Sequence, residues 1–69
     1  MSNIDVTVNG ERREIAGGRT VLEYLESLEI TPDRVAVELN RVIVKKAEWE
    51  RTLIGPGAQL EIVQFVGGG

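Results

Sequence analysis

With 69 residues the chain has room for one domain, and a domain this small buries only about 60% of the surface its unfolded form exposes, so no deep pocket is expected. It contains no cysteine and no histidine, which excludes disulfide staples, side-chain thiol chemistry and any Ser-His or Cys-His nucleophilic pair; an autonomous hydrolase is not expected. Lys and Arg number 8 against 11 Asp and Glu, the net charge is -3 and basic runs stop at two residues, so nucleic acid is not an expected partner.

No stretch approaches the roughly 20 apolar residues of a membrane span, and the start "MSNIDVTVNG" lacks the basic and apolar regions of a signal peptide. The expectation is a soluble, cytoplasmic protein with no membrane partner. No metal-ligand set and no bound cofactor is expected.

In "NIDVTVNGERREI", Ile4, Val6 and Val8 alternate with Asp5 and Thr7, the period of a strand with one buried face. Asn9-Gly10 tolerates the positive φ angles of a type I′ turn, so Glu11 to Ile15 should return antiparallel. A two-residue turn sets Ile15 opposite Ile4 and Arg13 opposite Val6. So polar a second strand suits a sheet edge, where charge deters pairing with other chains.

The period changes in "GGRTVLEYLESLEITP". Val21, Tyr24, Leu25 and Leu28 fall at i, i+3, i+4 and i+7, which predicts an amphipathic helix. Thr20 and Glu23 match a capping box, and Pro32 is the expected stop. The glycines of "AGGRT" before this helix invite comparison with a phosphate loop, but the pattern G-x-x-x-x-G-K-[ST] fails: Arg19 replaces the lysine, and Arg13 stands where the first glycine belongs. A turn into a capped helix accounts for the segment.

Next, "RVAVELN" puts Val35, Val37 and Leu39 on one face, and "VIVKK" follows the Asn40-Arg41 turn, predicting a second hairpin with a short return strand. "AEWERTLI" reads as a helical turn with Trp49 and Leu53 on one side. Glu48 and Glu50 stand two apart and point in different directions, so they form a solvated face near Lys45 and Lys46 rather than a pair of catalytic acids. Gly55-Pro56-Gly57 breaks the chain before the last strand, "AQLEIVQFV". These elements make one α+β domain, a mixed sheet of four to five strands with one main helix across one face.

The last strand carries the functional signal. Leu60 and Ile62 alternate with Gln59 and Glu61, but Val63 and Phe65 then put apolar groups on the other side. Two readings stay open for that second face: packing beneath Trp49, or an exposed docking patch. Beyond Val66 come Gly67, Gly68 and Gly69. Glycine loses the most entropy on ordering, so residues 67–69 are expected as a flexible tail on a domain of residues 1–66. Extended, three residues reach roughly 10 Å and, lacking side chains, thread a narrow slot.

A terminal carboxyl group, with a pKa of about 3.3 to 3.7, is an unreactive anion near neutral pH. Joined to AMP from ATP it becomes a mixed anhydride whose acyl carbon no β-carbon shields. Sulfur then displaces AMP to leave a thiocarboxylate, or an amine displaces it to leave an isopeptide. From the tail alone a carrier, a protein modifier and a binding module with inert glycines all remain open.

Taken together, "VTVNGE", "TVLEYLESL", "VAVELNRVIVKKAEW" and "LEIVQFVGGG" resemble the ThiS family of sulfur carriers, across essentially the whole chain. The resemblance implies the ubiquitin-like β-grasp fold and a protein co-substrate rather than an enzyme. It implies that a ThiF-like enzyme adenylates Gly69 with ATP, that a sulfur donor protein converts it to a thiocarboxylate, and that a ThiG-like thiazole synthase takes the sulfur for thiamine biosynthesis. Gly67 and Gly68 supply the slender approach, with Val63, Phe65 and Val66 at its base contacting partners. Sharing fold and chemistry, the small subunit of molybdopterin synthase is the nearest alternative, and a ubiquitin-like modifier is the next. Arg41 stands where relatives often carry glycine, which argues against an ideal type I′ turn at that hairpin.

Overall fold

The computed structural model describes residues 2–65. Five strands, β1 (Asn3–Val8), β2 (Glu11–Ala16), β3 (Val35–Leu39), β4 (Val42–Ile43) and β5 (Gln59–Gln64), form one sheet in the order β2-β1-β5-β3-β4. Only β1 and β5 run parallel; every other pair is antiparallel. The α+β mixed sheet read from the sequence is therefore the one formed, with β2 on an edge. Its register is also as expected, Ile4 opposite Ile15 and Val6 opposite Arg13.

Helix α1 (Val21–Ser27) crosses one face of the sheet. Its capping box is complete: the Glu23 amide donates to Thr20 Oγ1 at 3.1 Å, and the Thr20 amide donates to Glu23 Oε1 at 2.9 Å. The helix buries Val21, Tyr24 and Leu25 against Val6 and Val8 of β1, Val37 of β3 and Leu60 and Ile62 of β5. With no buried polar or charged side chain among the described residues, this core is held by apolar burial alone.

Three local expectations are corrected. Pro32 is not what stops the helix. The chain leaves it at Leu28: the Glu29 amide donates to the Glu26 carbonyl and the Ile30 amide to the Leu25 carbonyl, the two bonds of a Schellman cap. Glu29 takes the left-handed position usually given to glycine, with φ 58°. Pro32 instead begins a short 3-10 turn, Pro32–Arg34, and Leu28 sits half-exposed at the cap rather than on the buried stripe.

Leu53 does not share the inner side with Trp49. The 3-10 segment Lys46–Arg51 ends before it, Leu53 forms an isolated bridge with Thr20, and it stands 63% exposed. That bridge turns the next residue inward, so Ile54 fills the core position, with Ala58 following. Trp49 is buried as expected, its Nε1–H donating to the Val44 carbonyl at 2.8 Å.

The third correction concerns the Asn40-Arg41 turn. Asn40 and Arg41 both have positive φ, 53° and 70°, the signature of type I′ despite the missing glycine. Its support comes from β5. The Asn40 amide donates to the Gln59 carbonyl at 2.8 Å, and the Gln59 amide donates to Asn40 Oδ1 at 2.9 Å. These bonds offset the steric cost of an arginine in the left-handed region.

Candidate functional site

Strand β5 lies at the centre of the sheet and changes character along its length. At its start Leu60 and Ile62 face the helix and are buried, while Gln59 and Glu61 alternate outward. Past Ile62 the pattern inverts: Val63 is 54% exposed and Phe65 56%. Both residues are exposed and neither packs beneath Trp49. Trp49 is enclosed in the core between α1 and the sheet, so the outer side of β5 has no cover from it.

Register places the neighbours of this exposed end. Val63 stands opposite Ala36, Glu61 opposite Glu38, and Glu38 opposite Ile43, all on the face away from the helix. Ile43 and Val63 are thus apolar groups on one open face, with two carboxylates between them. Phe65 follows the last residue of β5, its amide donating to the Arg34 carbonyl at 2.8 Å. There it lines a small groove of about 210 Å³ with Leu28, Ile30 and Gln64.

Two asparagines hold β5, one at each hairpin. Asn40 grips its start at Gln59. Asn9 grips it at Ile62, with Oδ1 accepting the Ile62 amide at 2.7 Å and Nδ2 donating to the Ile62 carbonyl at 3.1 Å. The sequence marks both residues as turn formers; neither side-chain role was legible, because each partner lies far away along the chain.

All the carboxylates among the described residues are solvent-accessible, and no group of three or more metal-ligating side chains converges there. A second groove, about 300 Å³, is lined by Leu22, Pro32, Ala47 and Trp49, with Asp33 and Lys46 at its rim. The Asp33–Lys46 hydrogen bond, then the lysine's charge, holds the Asp33 carboxyl below its ordinary value of 3.8. Asp33 and Lys46 are thus spent on each other as an exposed ion pair beside this groove.

Of the site residues expected from the sequence, Val63 and Phe65 are brought together at the exposed end of β5. Val66, Gly67, Gly68 and Gly69 lie outside the described residues. Among those described, no helix is long and apolar enough to cross a membrane.

Comparison with known proteins spans the same region and more. The family model described as "ThiS family" matches residues 6–69, the last strand and its glycines included. A thiazole synthase of Paramagnetospirillum magneticum is 39% identical over 64 residues; the match takes 93% of this chain but only 20% of that protein, so the chain spans about a fifth of its length. The sulfur carrier protein ThiS of Escherichia coli is 29% identical over 66 residues, covering 96% of this chain and all of that one. The crystal structure of a thiamine biosynthesis protein (ThiS) from Geobacter metallireducens superposes with a TM-score of 0.81 at 30% identity, over 96% of this chain and 100% of that chain. The mixed sheet and single main helix are thus a β-grasp.

Proposed function

The chain belongs to the ThiS family, and from that membership we propose that it is a sulfur carrier for thiamine biosynthesis, a protein co-substrate whose reacting group is the carboxylate of Gly69. The observation that carries this reading is the match running unbroken through β5 to residue 69, alongside relatives of the same length and fold. A catalyst would need groups with perturbed acidity in a cleft, whereas a carrier needs a rigid body, a docking surface and an accessible end.

The chemistry follows from the terminus. A Gly69 carboxylate oxygen attacks the α-phosphorus of ATP in the cleft of a ThiF-like activating enzyme; pyrophosphate leaves and an acyl adenylate remains. Hydrosulfide released by a sulfur donor protein then attacks the acyl carbon, AMP leaves with the bonding electron pair, and the terminus becomes a thiocarboxylate. ATP is bound and spent by the partner. Gly67 and Gly68 give the acyl carbon a passage without side chains, and Val63, Phe65 and Val66 meet the partner's surface where the tail begins.

A thiazole synthase is the proposed consumer of the sulfur. The support is the relative in which a stretch like this chain forms part of a longer thiazole synthase. Joining two modules in one chain raises their effective concentration, which is useful when both act in the same step.

The test is intact-mass measurement after incubation with ATP, the cognate activating enzyme and a sulfur donor. The expected product is heavier by one sulfur less one oxygen, and an unchanged mass with the true partner overturns the reading. Appending one leucine after Gly69 should abolish the gain, because the carboxylate then sits on a hindered residue one step too far along.

A further inference from the structure

The turn residue Asn9 does more than a turn requires. Its φ of 51° suits a type I′ hairpin, and asparagine, aspartate or glycine would serve there equally. What only asparagine supplies is a donor and an acceptor together on a planar carboxamide. Both are used, and both on the same residue of β5.

The ladder between β1 and β5 shows why. The Thr7 amide donates to the Ala58 carbonyl at 2.9 Å, and the Asn9 amide donates to the Leu60 carbonyl at 2.8 Å. The next two bonds of a parallel ladder would come from the carbonyl of residue 9 and the amide of residue 11. The main chain has already turned into Gly10 and cannot continue. Instead Asn9 Oδ1 takes the Ile62 amide and Nδ2 takes the Ile62 carbonyl, so the side chain stands in for the missing peptide group. Ile62 is the last inward-facing apolar residue of β5. Beyond it the chain is held on the β3 side, by Val63 opposite Ala36, Gln64 opposite Val35 and the Phe65 amide on the Arg34 carbonyl.

We propose that Asn9 is a positioning residue for sulfur loading: by clamping Ile62 on the β1 side it fixes the direction in which Val63 and Phe65 leave the sheet towards the tail. This rests on the carrier reading above and deepens it. Without the clamp the outer end of β5 hangs from β3 alone and swings about it, so the exposed apolar residues meet the activating enzyme at a range of angles. Chemistry at Gly69, once docked, is unaffected. The consequence is therefore a rise in KM with kcat preserved.

The experiment compares wild type with Asn9→Gly and Asn9→Asp in steady-state adenylation by the cognate activating enzyme, below the melting temperature of every variant. Asn9→Gly keeps the positive φ and removes both side-chain bonds; Asn9→Asp keeps the acceptor and sets a second oxygen against the Ile62 carbonyl. Both are expected to raise KM about fivefold or more with kcat within about twofold. Ile15→Ala, which truncates a partly buried side chain on the edge strand β2 with β1 between it and β5, lowers the melting temperature and is expected to leave KM unchanged. In nitrogen-proton correlation spectra the amides of Ile62 to Phe65 should shift in the Asn9 variants and stay in place in Ile15→Ala.

Wild-type KM in the Asn9 variants, or an equal rise in Ile15→Ala, overturns the positioning role while leaving the carrier reading intact. If wild type is not adenylated by its true partner, both fall.

Discussion

Two halves of one strand divide the labour of this protein. From Gln59 to Ile62, β5 is held on both sides, towards β1 through Gln59, Leu60 and the Asn9 side chain, and sinks Leu60 to 1% exposure; from Val63 to Phe65 the chain keeps only the β3 side and turns Val63 and Phe65 to solvent. The inner half is bound by the rules of a core, where each lost methylene leaves a cavity. In the outer half, apolar surface contributes little to folding and becomes available for association. A central strand of a small sheet thus serves as keystone at one end and leaves apolar groups uncovered at the other.

The sharpest way to break the comparison is to truncate each half. Leu60→Ala should cost about 2 to 5 kcal/mol, since it empties a fully buried site in a core with little in reserve. Thermal or urea denaturation followed by circular dichroism reads this directly. The double variant Val63→Ser with Phe65→Ser should do the opposite: stability within about 0.5 kcal/mol of wild type, but affinity for the activating enzyme or a thiazole synthase weakened about tenfold, measured by calorimetric titration. Similar melting temperatures for the two variants would erase the distinction.

A smaller effect tests how β5 is held at its start. Arg41→Gly relieves a left-handed arginine at a cost of extra freedom in the unfolded chain, so a net gain of about 0.5 kcal/mol is expected in urea unfolding. The smallest effect lies away from the strand. Because the Lys46 hydrogen bond lowers the Asp33 pKa in the folded protein, its stabilisation is present above 3.8 and is lost as pH falls through the lower folded value. Asp33→Asn should therefore depress the melting temperature slightly near neutral pH and converge with wild type in strong acid; both partners are exposed, which keeps the difference small.

Much of this was legible because short-range physics writes itself in short-range patterns. Alternation in "IDVTV" and Asn9-Gly10 settled the first hairpin down to its register, and Thr20 with Glu23 settled the start of the helix. At Leu28 and Leu53 the local pattern misled, because a helix cap and a bridge to Thr20 chose their conformations. Each depends on contacts that composition and period do not encode.

The chain's own letters determined its class, its strands, its capped helix and the run of a greasy strand end into three glycines, since periodicity and capping act within a few residues. Folding decided which face of β5 stays uncovered, where Trp49 lodges and what Asn9 and Asn40 grip. Those outcomes turn on groups as far apart as Asn9 and Ile62, and hydrogen bonds over such a span exist only once the sheet has brought its first and last strands side by side.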